Sequence, residues 1–220
     1  MAPFHIASCY EYSDEVTINI YSCTMKKSKD TSKPSILIAF HKPYNCLSQF
    51  TRETADHITL ADYLTGIDRD VYPIGRLDRD SEGLLLLTND GKISHRILDP
   101  KHKFPKTYWA QVEGIPTDAA IKQLSTGVEI RIKKKAHHTR PCLAKVISAP
   151  KVEARNPPIR YRENIPTTWI ELSITEGKNR QVRRMCAAVG YPVLRLIRVS
   201  IGDIKLEGIA HGKWKHITIK

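Results

Sequence analysis

What this chain lacks narrows it before anything it contains. No apolar run approaches the roughly 18 residues needed to span a bilayer. The opening MAPFHIASCYEYSDE has no basic stretch leading into an apolar core, so no secretory signal is read there. The expectation is an intracellular, cytoplasmic chain with no membrane association. The five cysteines, Cys9, Cys23, Cys46, Cys142 and Cys186, contain no C-x-x-C pair and are odd in number. They read as reduced, mostly buried thiols rather than zinc ligands or disulfides. A glycine-rich phosphate loop is missing, as is the glycine-broken acidic loop of a calcium site. No segment repeats at a fixed period.

Negative charge is also scarce. Against 35 Lys and Arg stand 23 Asp and Glu, a net charge of +12. Net charge by itself fits many basic proteins, so its distribution decides. The cations gather in KHKFPK (101–106), RIKKKAHHTR (131–140), RNPPIRYR (155–162) and KNRQVRR (178–184). Such clustering favours a polyanionic partner, nucleic acid first. The adjacent His137 and His138 cannot share a helical metal face and read as loop residues near phosphate.

At 220 residues the chain makes one domain, or two small lobes sharing a core. Residues 1–34, with the polar stretch KKSKDTSKPS (26–35), read as a flexible tail, with a short unanchored strand as an option within 11–25. Met25 raises the further expectation that residues 1–24 are an extension outside the functional protein. From 35 to 220 short strands and helices alternate. ILIAFHKP (36–43), VYPIGRLD (71–78), GLLLLTNDG (83–91) and VLRLIRVSIG (193–202) read as strands, and TLADYL (59–64) as a short helix with Thr59 and Asp62 in a capping box. KISHRIL (92–98) is a helical turn or two stopped by Asp99-Pro100. KTYWAQVEG (106–114) alternates, placing Tyr108, Ala110 and Val112 on one face, and TTWIELSITEG (167–177) turns Ile170, Leu172 and Ile174 inward. Thr117 caps a helix over 118–125 that Gly127 ends, and Asn179 caps one over 180–189 that Gly190 ends. An α+β fold follows, with a largely antiparallel or mixed central sheet and flanking helices.

Two stretches carry chemistry. In the second of those helices Val182, Met185, Cys186 and Val189 form the apolar stripe, so Arg180, Arg183 and Arg184 share another face. A solvated basic face is the ordinary outcome. Cations at a helix N-terminus oppose the helix dipole, however, and a phosphate or carboxylate is expected to compensate. In GRLDRDSEGLLLLTNDG (75–91), acids at 78, 80 and 82 alternate with Arg76 and Arg79. If a strand extends that far, Arg76 and Asp78 share a face. Composition alone reads this stretch as a solvated turn with local ion pairs. Paired carboxylates would instead fit a glycosidase or, weakly, a metal site.

That second stretch resembles the catalytic signature of the RsuA/RluB/RluE family of bacterial ribosomal-RNA pseudouridine synthases. The likeness extends in order over roughly 35–217. ILIAFHKPYNCLSQF (36–50) resembles the family's opening block, and KTYWAQVEG its K-x-Y-x-V-x-V-x-G strand. EGKNRQVRRM (176–185) resembles its arginine helix and LRLIRVSIG (194–202) its closing block. The whole is similar to the short RluE-like branch acting on large-subunit (23S) rRNA. Two departures stand out. Nothing in 1–34 resembles the S4-type RNA-binding domain of many members, and HKPYNC replaces the commoner N-K-P-x-G-V at 41–46, losing a glycine.

The resemblance implies the pseudouridine synthase fold and isomerisation of a uridine within rRNA, by a monomer needing no metal or cofactor. The N1–C1′ bond breaks, the base turns, and a C5–C1′ bond forms. Asp78 matches the catalytic aspartate, the nucleophile on the flipped-out nucleotide. Arg183 matches the position that pairs with it, so Arg183 and Asp78 are expected in salt-bridge contact. Tyr108 matches the active-site tyrosine that stacks on the base, and Leu196 the apolar residue closing the pocket. Arg76 is expected to hold the gap left by the base or to contact phosphate, with Lys42, Lys106, Lys178, Arg180 and Arg184 as further RNA contacts. Asp80 and Glu82 are expected to fix the turn. A non-catalytic rRNA-binding assembly factor explains the charge equally well, but not the Arg/Asp signature.

Overall fold

The computed structural model describes residues 17–18, 33–99, 101–102, 104–160 and 162–219. The tail expected over 1–34 therefore lies outside the described residues except at 17–18, 33 and 34, as do Cys9 and Cys23. The strands are β1 (Thr17–Ile18), β2 (Leu37–Lys42), β3 (Tyr72–Pro73) and β4 (Glu82–Thr88), followed by helix α1 (Gly91–Leu98). Next come β5 (Lys106–Glu113), α2 (Asp118–Thr126), β6 (Glu129–Ile132), β7 (Lys135–His138), β8 (Leu143–Ile147) and β9 (Thr167–Ile174). Helix α3 (Gln181–Ala188), β10 (Val193–Ile201), β11 (Ile204–Lys205), β12 (Trp214–His216) and β13 (Thr218–Ile219) complete the order. The main sheet runs β12-β2-β4-β10-β5-β9-β8, with β3 also paired to β4 and β11 to β10. β1 pairs with β13 in a separate two-stranded ribbon. Among the described residues no helix is long and apolar enough to cross a membrane.

The four-leucine run explains the centre. Leu84 and Leu86 join Leu37, Ala39, Ile93 and Ile97 in one cluster. Leu85 and Leu87 join Ile38, Phe40 and the α3 residues Val182, Met185 and Cys186 in the other. A strand covered on both faces reads as an unbroken apolar run, and each buried leucine contributes roughly 2 kcal/mol of transfer free energy. Helices sit on both faces, α1 over the first cluster and α2 and α3 over the second. Helix α2 starts at the expected cap, Thr117, which accepts from the Ala120 amide at 3.2 Å, and α1 is capped by Asp90, which accepts from the Lys92 amide at 2.7 Å. Asp62 closes the expected box by accepting from the Thr59 amide at 2.8 Å.

All pairings in the main sheet are antiparallel except β4 with β10, where two residue pairs meet: Ile197 with Glu82 and Arg198 with Gly83. This seam joins two antiparallel halves, β12-β2-β4 and β10-β5-β9-β8. Gly83 has φ +101°, and a Cβ there would overlap the Arg198 carbonyl, so this approach of backbones demands glycine.

Two expectations fail. The strand read over 71–78 stops at Pro73, because residues 74–81 turn back to reach the start of β4. The histidine pair lies in a hairpin strand rather than a loop: β6 and β7 pair through a turn in which Lys133 and Lys134 take φ +46° and +68°. Positive φ at both turn residues is usually signalled by Asn or Gly, so two lysines concealed the hairpin.

Candidate active site

The loop carrying Asp78 is fixed from several sides. The Ile74 amide donates to the Leu86 carbonyl at 2.7 Å, and the Ser81 amide to the Asp78 carbonyl at 3.0 Å. Ser48 Oγ accepts from the Leu77 amide at 3.1 Å and donates to the Leu77 carbonyl at 2.8 Å. Next door, the Asn45 amide donates to the Arg79 carbonyl at 2.8 Å, and Arg79 Nε returns a 2.6 Å bond to Asn45 Oδ1. Asn45 has φ +65°, a conformation asparagine tolerates better than most residues. The glycine lost from the 41–46 segment is thus replaced by a residue that adds a clamp on the loop carrying Asp78.

Lys42 is a correction. Expected to touch RNA, it is fully buried, and its Nζ donates to the Pro43 carbonyl at 2.9 Å and the Cys46 carbonyl at 2.7 Å. Burial lowers its pKa to about 8. It braces the 43–46 turn.

Asp78, Tyr108 and Leu196 line one cavity of about 550 Å³, together with Arg76, Lys106, Lys178 and Arg180. Tyr108 and Leu196 are buried and share the inner face of paired strands β5 and β10. Asp78 is partly open to solvent, while Arg76, Lys178 and Arg180 are exposed at the same cavity. Arg183 and Arg184 lie outside the lining. Among the described residues no group of three or more His, Cys, Asp or Glu is placed to hold a metal ion.

The arginine helix supplies the second correction. Arg183 does not pair with Asp78. Its Nη2 donates to the Asp80 carbonyl at 2.7 Å and its Nη1 to the Val193 carbonyl at 3.1 Å, with Nε 3.4 Å from Asp80 Oδ2. The guanidinium near Asp78 belongs to Arg180, whose Nη1 lies 3.6 Å from Asp78 Oδ2. Arg180 also forms a two-pronged pair with Asp80, at 2.9 and 2.7 Å. The reason is local. The helix cap is Arg180 and not Asn179, and Arg180 stands in the left-handed region at φ +51°. That conformation costs a non-glycine residue on the order of 1 kcal/mol; the paired bonds to Asp80 offset it and swing the side chain onto the acid loop. Arg183, nearly a turn later, reaches only the Asp80 end. Arg184 is used structurally, donating to the Arg131 carbonyl at 2.7 Å and to Asn179 Oδ1 at 3.0 Å.

The electrostatics follow this geometry. Burial pushes the Asp80 carboxyl up, but the Arg180 hydrogen bonds and the Arg183 charge outweigh it and hold Asp80 below its ordinary value. Arg180 is raised chiefly by its bond to Asp80. Burial lowers Arg183, with Asp80 opposing. A single carboxylate is the hub of the far wall: Glu176 accepts from Gln181 Nε2 at 2.7 Å, the Arg140 amide at 2.9 Å and His137 Nε2 at 3.1 Å. His137 therefore braces the site and is not held ready for phosphate.

Reading the sequence missed three residues here. Glu176 and Ser81 gave no local signal. Arg198 did: it breaks the inward apolar alternation of β10, and a buried charge on a core strand is rare enough to mark.

The profile of the family described as RNA pseudouridylate synthase matches residues 36–188. The chain belongs to that family, and is an RNA-modifying isomerase. It is 51% identical over 183 residues to the ribosomal large subunit pseudouridine synthase E of Vibrio parahaemolyticus, covering 83% of this chain and 74% of that protein. The protein of the same name from Xanthomonas axonopodis pv. citri is 50% identical over 177 residues, covering 80% and 90%. The ribosomal large subunit pseudouridine synthase B of Bacillus subtilis is 34% identical over 183 residues, covering 83% and 68%. Among solved structures, a pseudouridylate synthase crystal structure superposes with a TM-score of 0.67 at 28% identity, covering 86% of this chain and 72% of that one.

Proposed function

We propose that the chain converts a uridine of large-subunit ribosomal RNA to pseudouridine, with Asp78 as the nucleophile. The observation that carries this reading is the shared cavity: Asp78, buried Tyr108 and buried Leu196 line it together, and most of its charged lining residues are cationic. The relatives named for the large ribosomal subunit, at 51% and 50% identity, support the choice of RNA.

The target nucleotide leaves the stack at a cost of a few kcal/mol, and stacking on Tyr108 recovers part of it. The Asp78 carboxylate attacks the flipped-out nucleotide and the N1–C1′ bond breaks; the base turns within the cavity, C5 bonds C1′ as the bond to Asp78 is released, and the proton lost from C5 is balanced by the one gained at N1. Arg180 stands 3.6 Å from Asp78 Oδ2 and orients that carboxylate, while Arg183 positions the loop through Asp80. Leu196 closes the pocket against water. Arg76, Lys106, Lys178 and Arg180 meet the RNA, and the exposed cations of 133–135 and 160–162 extend the track along its backbone. Residues 35–220 act as the catalytic body, a monomer in the cytoplasm, with 1–34 as its tail.

The test is to incubate purified protein with unmodified large- and small-subunit rRNA transcripts and to map pseudouridine, alongside rRNA from a strain lacking the protein. One large-subunit position gained in the first case and lost in the second supports the reading. Modification of small-subunit RNA alone, or full activity of Asp78→Asn, overturns it.

A further inference from the structure

Arg198, at the cavity wall, carries an unspent hydrogen-bond donor. The residue is 4% exposed and lines the cavity. Its Nε donates to the Leu84 carbonyl at 2.7 Å, but Nη2 is buried and has no hydrogen-bond partner among the described residues. Leaving a buried donor unmet is costly, and more so for a charged group. No described carboxylate forms an ion pair with it either.

Arg198 lies directly across from Tyr108 in the β5–β10 ladder and two residues after Leu196. Cross-strand partners and residues two apart share a sheet face, so one patch presents ring, aliphatic group and cation together. Lys106 shares that face, two residues before Tyr108, and is held below its ordinary pKa by burial and then by the Arg198 charge. The remaining cations are graded by depth. Arg76, Lys178 and Arg180 are exposed, where a phosphate backbone runs, whereas Arg198 is sealed beside the ring. An acceptor that reaches this depth belongs to the base.

We propose that Arg198 is a specificity residue, its Nη2 donating to a carbonyl oxygen of the uracil stacked on Tyr108. This rests on the uridine-isomerase reading above. A donor facing the C4 carbonyl would also reject cytosine, which presents an amino group there.

The test uses a short RNA containing the mapped target, made with uridine, 2-thiouridine or 4-thiouridine at that position, sulfur being a weak acceptor. Conversion is followed by nuclease digestion and chromatography with mass spectrometry. Wild-type protein is expected to lose roughly 10- to 100-fold in kcat/KM on one thio RNA, which identifies the carbonyl. Arg198→Lys keeps the charge; it should lose a similar factor on uridine RNA and show less than about 3-fold further loss on that thio RNA, a non-additivity that a purely structural role would not produce. Wild-type indifference to both thio RNAs, or equal thio sensitivity in Arg198→Lys, overturns the proposal. So does a loss in the variant that tracks salt concentration alone, which would place a phosphate there. Wild-type inactivity on the uridine RNA would instead defeat the isomerase reading, so the two failures are distinct.

Discussion

Guanidinium groups hold both ends of the five residues Asp78 to Glu82, and the two bridges are built differently. At Glu82 the bridge is dry. Arg195 donates to both carboxylate oxygens, at 2.9 and 2.8 Å, and to the Glu153 carbonyl at 2.8 Å, with the two side chains 8% and 1% exposed. At Asp78 and Asp80 the bridge is open and unequally shared: Asp80 takes the short contacts, and Asp78 only the 3.6 Å approach of Arg180. A carboxylate saturated by close bonds is a poor nucleophile and a good staple. One with few close bonds is free to react. The same residue types thus serve two ends within five positions, and burial together with hydrogen-bond saturation separates them.

The strongest way to break this contrast is at Asp78. Asp78→Asn should lower kcat/KM on rRNA by at least about 10³-fold while shifting the urea midpoint by less than about 0.5 kcal/mol equivalent; a large loss of stability would mean that Asp78 is a staple after all. Glu82→Gln should do the reverse. Stranding the buried Arg195 is expected to cost about 3–5 kcal/mol in denaturant unfolding, and a neutral result would show that the dry bridge is dispensable.

Lys42 sharpens the comparison as a buried cation held by carbonyls, with no acid bonded to it. Its folded pKa of about 8 lies below its ordinary 10.5, so between those values the unfolded chain binds more protons and the Lys42 contribution to stability rises with pH. Relative to Lys42→Met, wild type should gain as much as about 3 kcal/mol from pH 7.5 to 10.5. The mutant comparison is needed because buried Cys46 and half-buried Cys142, pushed up to about 11, pull the other way. A gap constant with pH would refute the assignment. The smallest effect is expected at Asp80. A carboxyl held below its ordinary value stabilises the fold above the unfolded pKa, and that stability is lost as pH falls through the folded value. Asp80→Asn should therefore cost about 1 kcal/mol or less at pH 7, given its solvent exposure, with the gap to wild type closing below about pH 4.

Legibility in the sequence followed the range of the signal. The alternation of Tyr108, Ala110 and Val112 and the caps at Thr59 and Thr117 are local, and the structure reproduces them. The convergence of Asp78, Tyr108 and Leu196 was legible only through the family resemblance, since periodicity alone would leave Leu196 as plain core. What escaped depends on distant partners. The left-handed turn at Arg180 is stabilised by Asp80, a hundred residues away, so the match to the family's arginine helix favoured Arg183. Lys42 looked like one more cation because nothing nearby in sequence announces that its loop folds over it.

The parallel seam has a mechanical consequence. Asp78 hangs from one half of the sheet, Tyr108 and Leu196 from the other, and between them stand two rungs where the flanking ladders β2–β4 and β5–β10 have six and seven. Compliance concentrates at the shortest join. A nucleotide wedged between acid and ring therefore pries at the shortest ladder along the main strand order, and the Arg195–Glu82 bridge latches it.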